Sequence, residues 1–176
     1  MYTPDQVRAA EQPLLARLGE KLMLSAAFAV AVECARLLDH HPYGKRVLVL
    51  AGSGGNGGDA LYAAEELERR GAHITVWQTS TGLHHAYRRP EEPTAAAAAR
   101  ADLIIDGVVG IGASGGLRGE AARAALIIAE HATCPVVAVD IPSGVDPMTG
   151  VPGDSYIRAT STVTFGGLKP VHVLGW

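Results

Sequence analysis

The chain is short of cysteine, with two in 176 residues. Cys34 and Cys134 lie far apart and outside any C-x-x-C pattern. That argues against a disulfide framework or a zinc site, and reads both as small core residues in a reducing compartment. Aromatic residues make up only 5% of the chain, and no run of Lys and Arg exceeds two. With a net charge of −3, a nucleic-acid groove or a surface for anionic membranes is disfavoured. No uncharged apolar stretch approaches the ~20 residues that cross a bilayer. The opening MYTPDQVRAAEQ is polar and lacks the apolar centre of a secretory signal, so a cytoplasmic location is expected. H-E-x-x-H is also missing, which disfavours a zinc hydrolase.

The chain does have a hydrophobic fraction of 48% and a mean hydropathy of +0.15. Those values suit one domain with a real core. Thr3-Pro4-Asp5-Gln6 predicts a helix start, with Thr as N-cap and Gln closing a capping box. A largely helical region follows to about Leu38, broken near Gly19. Its second half, LMLSAAFAVAVECARLL, is apolar on most sides and is expected to be buried, with Met23, Phe28 and Cys34 in the core.

Val47 to Ala51 is a short all-apolar run, as in a central parallel strand. Asp59 to Arg70 reads as a helix stopped by Gly71, and His73 to Gln78 as the next strand of a right-handed βαβ unit. From Thr79 to Ala101 the sequence predicts a surface loop ending in a short helix. Asp102 to Asp106 and Pro135 to Asp140 are two further buried strands, with a helix in GEAARAALIIAEHA between them. Thr160 to Phe165 is an alternating last strand. The expected fold is α/β, a three-layer αβα Rossmann-like sandwich with a mostly parallel sheet.

In such a sheet, ligands bind at the carboxyl ends of the strands. Here those ends carry GSGGNGGD, DGVVGIGASGGLRG, DIPSGVD and FGGLKP, which implies one composite pocket. Both glycine-rich loops precede helices and can point backbone N–H groups at an anion, or merely turn tightly. Asp106 and Asp140 close two strands facing the crevice, where each can hold a cation, exchange protons or cap a helix. Ser143 can offer its hydroxyl or carbonyl to a ligand or metal, and lacks the G-x-S-x-G context of a nucleophile. Asn56 offers a hard oxygen suited to a monovalent or divalent cation. His40, His41, His84, His85 and His172 read as solvent-facing, and His73 and His131 lie near element ends.

Gly52, Gly54 and Gly57 match the spacing G-x-G-x-x-G, yet two familiar readings fail. Asp59 follows Gly58 where a phosphate loop would place lysine. The strand after the helix ends at Gln78, without the acid that would hold the ribose of NAD. An NAD-dependent oxidoreductase is disfavoured accordingly.

Taken together, VLVLAGSGGNGGDALYAAEELERRGAHITVW, DLIIDGVVGIGASGGLRG, PVVAVDIPSGVDPMTG and TVTFGGLKP resemble the YjeF N-terminal domain family, over about Thr3 to Val173. The likeness is to NAD(P)H-hydrate epimerases, which interconvert the R and S forms of hydrated NADH and NADPH. It is nearest to the epimerase half of actinobacterial two-domain repair proteins, whose other half is an ADP- or ATP-dependent dehydratase. The resemblance implies a substrate loop at Gly55, Asn56, Gly57, Gly58 and Asp59. A second loop falls on Gly110, Ile111, Gly112, Ala113, Ser114, Gly115 and Gly116. It implies potassium held by Asn56, Asp106 and Ser143, a substrate contact at Asp140, and a homodimer. Asp140 is the expected acid/base group, with Asp106 mainly a cation ligand.

Departures from the family pattern are Gly55 for the first asparagine of N-N-x-G-D, Ala60 for a common glycine, and a shortened 79–101 segment. The sequence ends at Trp176, where relatives continue, so a C-terminal truncation and a sheet short of one edge are expected. The other reading is a non-catalytic nucleotide-binding or dimerisation module of the same fold. Retention of Asn56, Asp59, Asp106, Asp140 and Ser143 favours the enzyme.

Overall fold

The computed structural model describes residues 1–80, 94–110 and 115–174. Two helices open the chain, α1 (Pro4–Leu18) and α2 (Glu20–Leu37), separated by Gly19. The capping box forms as its residues predict. Gln6 N donates to Thr3 Oγ1 (3.2 Å) and Thr3 N to Gln6 Oε1 (2.8 Å). Next come β1 (Arg46–Ala51), α3 (Gly55–Arg69), β2 (His73–Gln78), α4 (Ala95–Arg100) and β3 (Leu103–Gly107). Then follow α5 (Gly119–His131), β4 (Val136–Val139), β5 (Ser161–Val163) and α6 (Val171–Leu174).

The strands form one sheet in the order β2-β1-β3-β4-β5, and every pairing is parallel. Alternation along the strands splits their side chains between two helical layers. Val47, Val49, Leu103, Ile105, Val137 and Val139 pack with α2 and α3. Leu48, Leu50, Ile104 and Val136 pack with α4 and α5. Burial on both faces explains why these strands are apolar throughout rather than alternating. The strand order reverses direction after β2-β1, so the carboxyl ends of β1 and β3 flank a topological switch point, where open α/β sheets bind ligands.

Three expectations change. The helix α2 is not buried on most sides: Leu24, Phe28 and Val32 are 45%, 53% and 46% exposed. One stripe of Ala27, Val30, Ala31, Cys34 and Leu38 meets the core. An amphipathic stripe is all a helix on one face of a sheet can bury, however apolar its other sides. The third helix begins at Gly55, four residues before Asp59, so the glycine loop supplies its first turn. The last strand is only Ser161–Val163. The loop expected across residues 81–93, with His84 and His85, and loop residues Ile111, Gly112, Ala113 and Ser114 fall outside the described residues.

The glycines of the first loop have a packing role. A Cβ on Gly52 would overlap the Val108 carbonyl, and one on Gly57 would overlap the Gly52 carbonyl. The end of β1, the first turn of α3 and the segment after β3 therefore meet backbone to backbone. Either Gly52→Ala or Gly57→Ala is expected to cost about 3 kcal/mol in urea unfolding. Gly54→Ala and Gly55→Ala are the controls, because a Cβ there meets nothing within 4 Å, and should cost less than about 1 kcal/mol.

Candidate active site

Two polar clusters sit at the carboxyl ends of the strands. The first is built on Asp106, which is fully buried inside β3. It is therefore neither the last strand residue nor exposed in the crevice, as its sequence position suggests. Pairing of β1 with β3 continues to Gly107, one residue further. Ser143 N donates to Asp106 Oδ2 (2.8 Å), Ser143 Oγ to Oδ1 (2.6 Å) and Val108 N to Oδ1 (3.3 Å). Burial pushes the Asp106 carboxyl up to about 6 even though these donors pull it down.

The Ser143 hydroxyl also accepts from Val109 N at 3.1 Å. From the other side, Asn56 Nδ2 donates to Val139 O (2.6 Å) and lies 3.5 Å from Val109 O. A Cβ on Gly110 would strike the Asn56 amide at 2.7 Å, so only glycine leaves that amide room. Asn56 and Ser143, far apart in sequence, thus converge on Val109, and Asp106 joins them through Ser143 and Val108 N.

The second cluster surrounds Asp140, directly after β4. Its φ of 67° is in the left-handed region, rare for a residue with a Cβ. Such a conformation costs on the order of 1–2 kcal/mol and has to be held by its surroundings. Lys169 Nζ donates to Asp140 Oδ1 at 2.6 Å, and Thr164 Oγ1 donates to the same oxygen at 2.9 Å. Further bonds from Lys169 Nζ reach Thr164 Oγ1 and Phe165 O, both at 3.0 Å, which uses all three ammonium donors. The ammonium is buried, with only 1% of the Lys169 side chain exposed.

His172 fixes the backbone of Asp140. Lys169 N donates to His172 Nδ1 (3.0 Å), and this bond leaves the ring proton on Nε2, which donates to Asp140 O (2.8 Å). The expectation that His172 faces solvent is therefore corrected. The one-turn helix α6, which follows Pro170, brings the imidazole back onto the Asp140 carbonyl.

A cavity of about 510 Å³ opens beside Asp140. Its polar walls are Glu11 from α1, Asn56 and Asp59 from α3, and Asp140; Leu15, Met23 and Phe165 supply apolar surface. The first turn of α3 has no side-chain cap, so its N–H groups remain for a ligand. Burial first, then the charges of Asp140 and Glu11, raise the Asp59 carboxyl to about 7. Burial and Asp140 likewise raise Glu11, against the pull of Lys169.

The raised Asp59 value carries a stability signature. The folded chain binds a proton here that the unfolded chain, with a pKa of 3.8, has already released. Stability should therefore fall as pH rises from about 4 to about 7, and stay lower above that window. Asp59→Asn should flatten this slope and unfold at higher urea than the parent at pH 8, though not at pH 4.

Sequence reasoning missed Lys169, Thr164, His172 and Glu11. A lysine two residues after Gly-Gly, just past the alternating last strand, was the available signal for Lys169. For Glu11 there was none, since a glutamate on a polar helix usually faces water. Of the second glycine-rich loop, Gly115 and Gly116 are not among the residues that line this cavity. Gly116 packs against Gly153, and Leu117 N donates to Ser155 O at 2.8 Å. Among the described residues no cluster of three His, Cys, Asp or Glu side chains could hold a metal, so any cation here would need neutral oxygens as well. None of the described helices is long and apolar enough to cross a membrane.

A wholly parallel αβα sheet, with an uncapped glycine helix start and a carboxylate-lined crevice at the switch point, defines a Rossmann-like α/β protein. The family model for the YjeF-related protein N-terminus matches residues 19–89 and 79–171, and the chain belongs to that family. It is 46% identical over 98% of its length to the bifunctional NAD(P)H-hydrate repair enzyme Nnr of Mycobacterium tuberculosis, and covers 38% of that protein. It is 44% identical to an NAD(P)H-hydrate epimerase of Clavibacter sepedonicus, covering 96% of this chain and 81% of that protein. A similar epimerase from Microbacterium testaceum is 42% identical, with 99% and 72% covered. The crystal structure of yeast YNL200c shares the fold, with a TM-score of 0.75 over 94% of this chain and 81% of that one at 22% identity.

Proposed function

We propose that this chain, acting as one domain over residues 1–176, is an NAD(P)H-hydrate epimerase that interconverts the R and S forms of hydrated NADH and NADPH. One observation carries the reading. Asp140 is held in a strained backbone conformation, with one oxygen pinned by Lys169 and Thr164, on the wall of a nucleotide-sized cavity. Asp39 and His40 share that backbone region in a turn, so it is the strain together with the buried Lys169 partner and the cavity wall that sets Asp140 apart. Kinship with proteins named as NAD(P)H-hydrate epimerases supports the same conclusion.

The substrate carries a hydroxyl on C6 of its reduced ring, and epimerisation requires that centre to open and be rebuilt on the other face. The α3 first turn, Gly55 to Asp59, would bind a phosphate through main-chain N–H groups and seat the ring over Asp140. The carboxylate of Asp140 would take a proton there in one direction of the reaction and return it in the other. Lys169 holds it aimed, and apolar Leu15, Met23 and Phe165 limit water.

Asn56, Asp106 and Ser143 would hold a potassium ion. The fit rests on the donor set: oxygens only, around a buried carboxylate whose hydrogen-bond partners among the described residues are all neutral. Such an ion supplies positive charge that offsets Asp106 and ties together the loops after β3 and β4. Melting temperature should therefore rise with KCl more than with choline chloride, and Asp106→Asn should abolish the difference.

The proposed setting is the cytoplasm, beside a dehydratase of the kind fused to the bifunctional relatives. The exposed Leu24, Phe28 and Val32 on α2 support self-association as a homodimer, which light scattering measures. The test of activity supplies the R hydrate of NADH, potassium and a dehydratase specific for the S form. Return of NADH should outrun spontaneous epimerisation; an unchanged rate would favour the non-catalytic reading.

A further inference from the structure

One carboxylate fixed in place cannot serve both halves of an epimerisation. A hydroxyl leaving one face of a ring carbon needs a proton delivered on that face. Water adding to the opposite face needs a base there instead. Lys169 and Thr164 hold Asp140 Oδ1, and His172 holds its carbonyl, so Asp140 is confined to one side.

The same cavity offers two further carboxylates, Glu11 and Asp59. Glu11 sits at the α1 end, where its Oε1 closes on Gly166, and the Lys169 charge acts on it as well. Asp59 is placed differently. Its Oδ1 is buried and has no hydrogen-bond partner among the described residues, although the side chain lines the cavity. Native proteins rarely leave a buried polar atom unpaired, and a ligand atom is the usual explanation. Burial and the two acidic groups facing it, Asp140 and Glu11, raise its carboxyl to about 7, so near neutral pH the acid and carboxylate forms are both present.

We propose that Asp59 is the second catalytic residue, working on the face of the ring opposite Asp140. This rests on the epimerase reading above. The Asp59 carboxylic acid gives its proton to the C6 hydroxyl oxygen. The C–O bond breaks, its electron pair leaves with water, and the lone pair of the ring nitrogen forms an N1–C6 double bond. A second water attacks C6 from the other face and loses a proton to the Asp140 carboxylate, while the π pair returns to nitrogen. One hydroxyl leaves, one arrives, and a proton has moved from Asp59 to Asp140. The opposite epimerisation, or exchange with solvent, resets the pair.

In this scheme the C6 oxygen is replaced at every turnover, whereas opening of the ring at the N1–C6 bond would keep it. The R hydrate of NADH is therefore incubated with the full chain in ¹⁸O water, and the S hydrate formed is weighed by mass spectrometry after subtracting the enzyme-free rate. One solvent oxygen per enzymatic event is expected. In parallel, Asp59→Asn should lower kcat by about 10²–10⁴-fold with KM held within about threefold, and Asp59→Glu should restore part of the loss. An S hydrate that keeps its original oxygen overturns the proposal, and so does an Asp59→Asn enzyme that changes KM alone. The isotope result uses the unaltered protein and does not depend on the variant folding. Failure of the unaltered chain to accelerate epimerisation at all overturns the epimerase reading instead.

Discussion

Asp140→Asn is expected to cut epimerisation by about 10³-fold or more while hydrated nucleotide still binds. The magnitude is that of losing a positioned general base. The amide is close in shape to the carboxylate, and its oxygen can still accept from Lys169 Nζ and Thr164 Oγ1, which lie 2.6 and 2.9 Å from Oδ1 in the parent. The left-handed backbone should survive, because asparagine tolerates that region better than most residues and the His172 bond is to the main chain. What disappears is the capacity to take a proton. Equilibrium dialysis with the S hydrate, beside the coupled assay, separates the two effects. Turnover at the parental rate would remove Asp140 from the mechanism.

Lys169→Met should have the largest effect on stability. The ammonium is buried, makes three hydrogen bonds, and is the cation paired with Asp140 in a cavity that also holds Glu11 and Asp59. Methionine fills much of the volume but leaves the buried Asp140 carboxyl without its cation, beside two further acidic side chains. Breaking a buried pair on one side costs about 3–5 kcal/mol, read by urea unfolding at pH 7. Two controls give this figure a mechanism. Acidification enough to protonate the carboxylates should shrink the deficit, and Lys169→Met combined with Asp140→Asn should recover part of it. A deficit independent of pH, with no recovery in the double variant, would mean that packing rather than charge was lost.

The strands and helices of the sheet were legible because each obeys a local rule. β1, β3 and β4 are continuous apolar runs, and α5 is bounded by turn signals. Asn56, Asp106, Asp140 and Ser143 were legible too, since parallel topology gathers whatever follows the strands. Depth was not legible. Nothing in DLIID distinguishes a carboxylate on the crevice wall from one sealed beneath it, because that depends on the Ser143 loop folding over β3. Nor does the glycine spacing announce that α3 begins at Gly55, since glycine is a poor helix former and tertiary contacts decide. Lys169 and His172 escaped for the same reason. Their partners lie 29 and 32 residues away, beyond the reach of periodicity.

The main-chain interlock of Gly52, Gly57 and Val108 also bears on how this domain can evolve. A floor made of backbone offers mutation nothing to adjust there except collapse. Under the proposed function, discrimination between hydrated NADH and NADPH, or drift toward another ligand, must then be written on the opposite helical wall. Leu15, Leu22, Met23 and Ala26 line that wall and belong to neither buried core cluster. The glycine loop is the fixed half of the site, and α1 and α2 are its variable half.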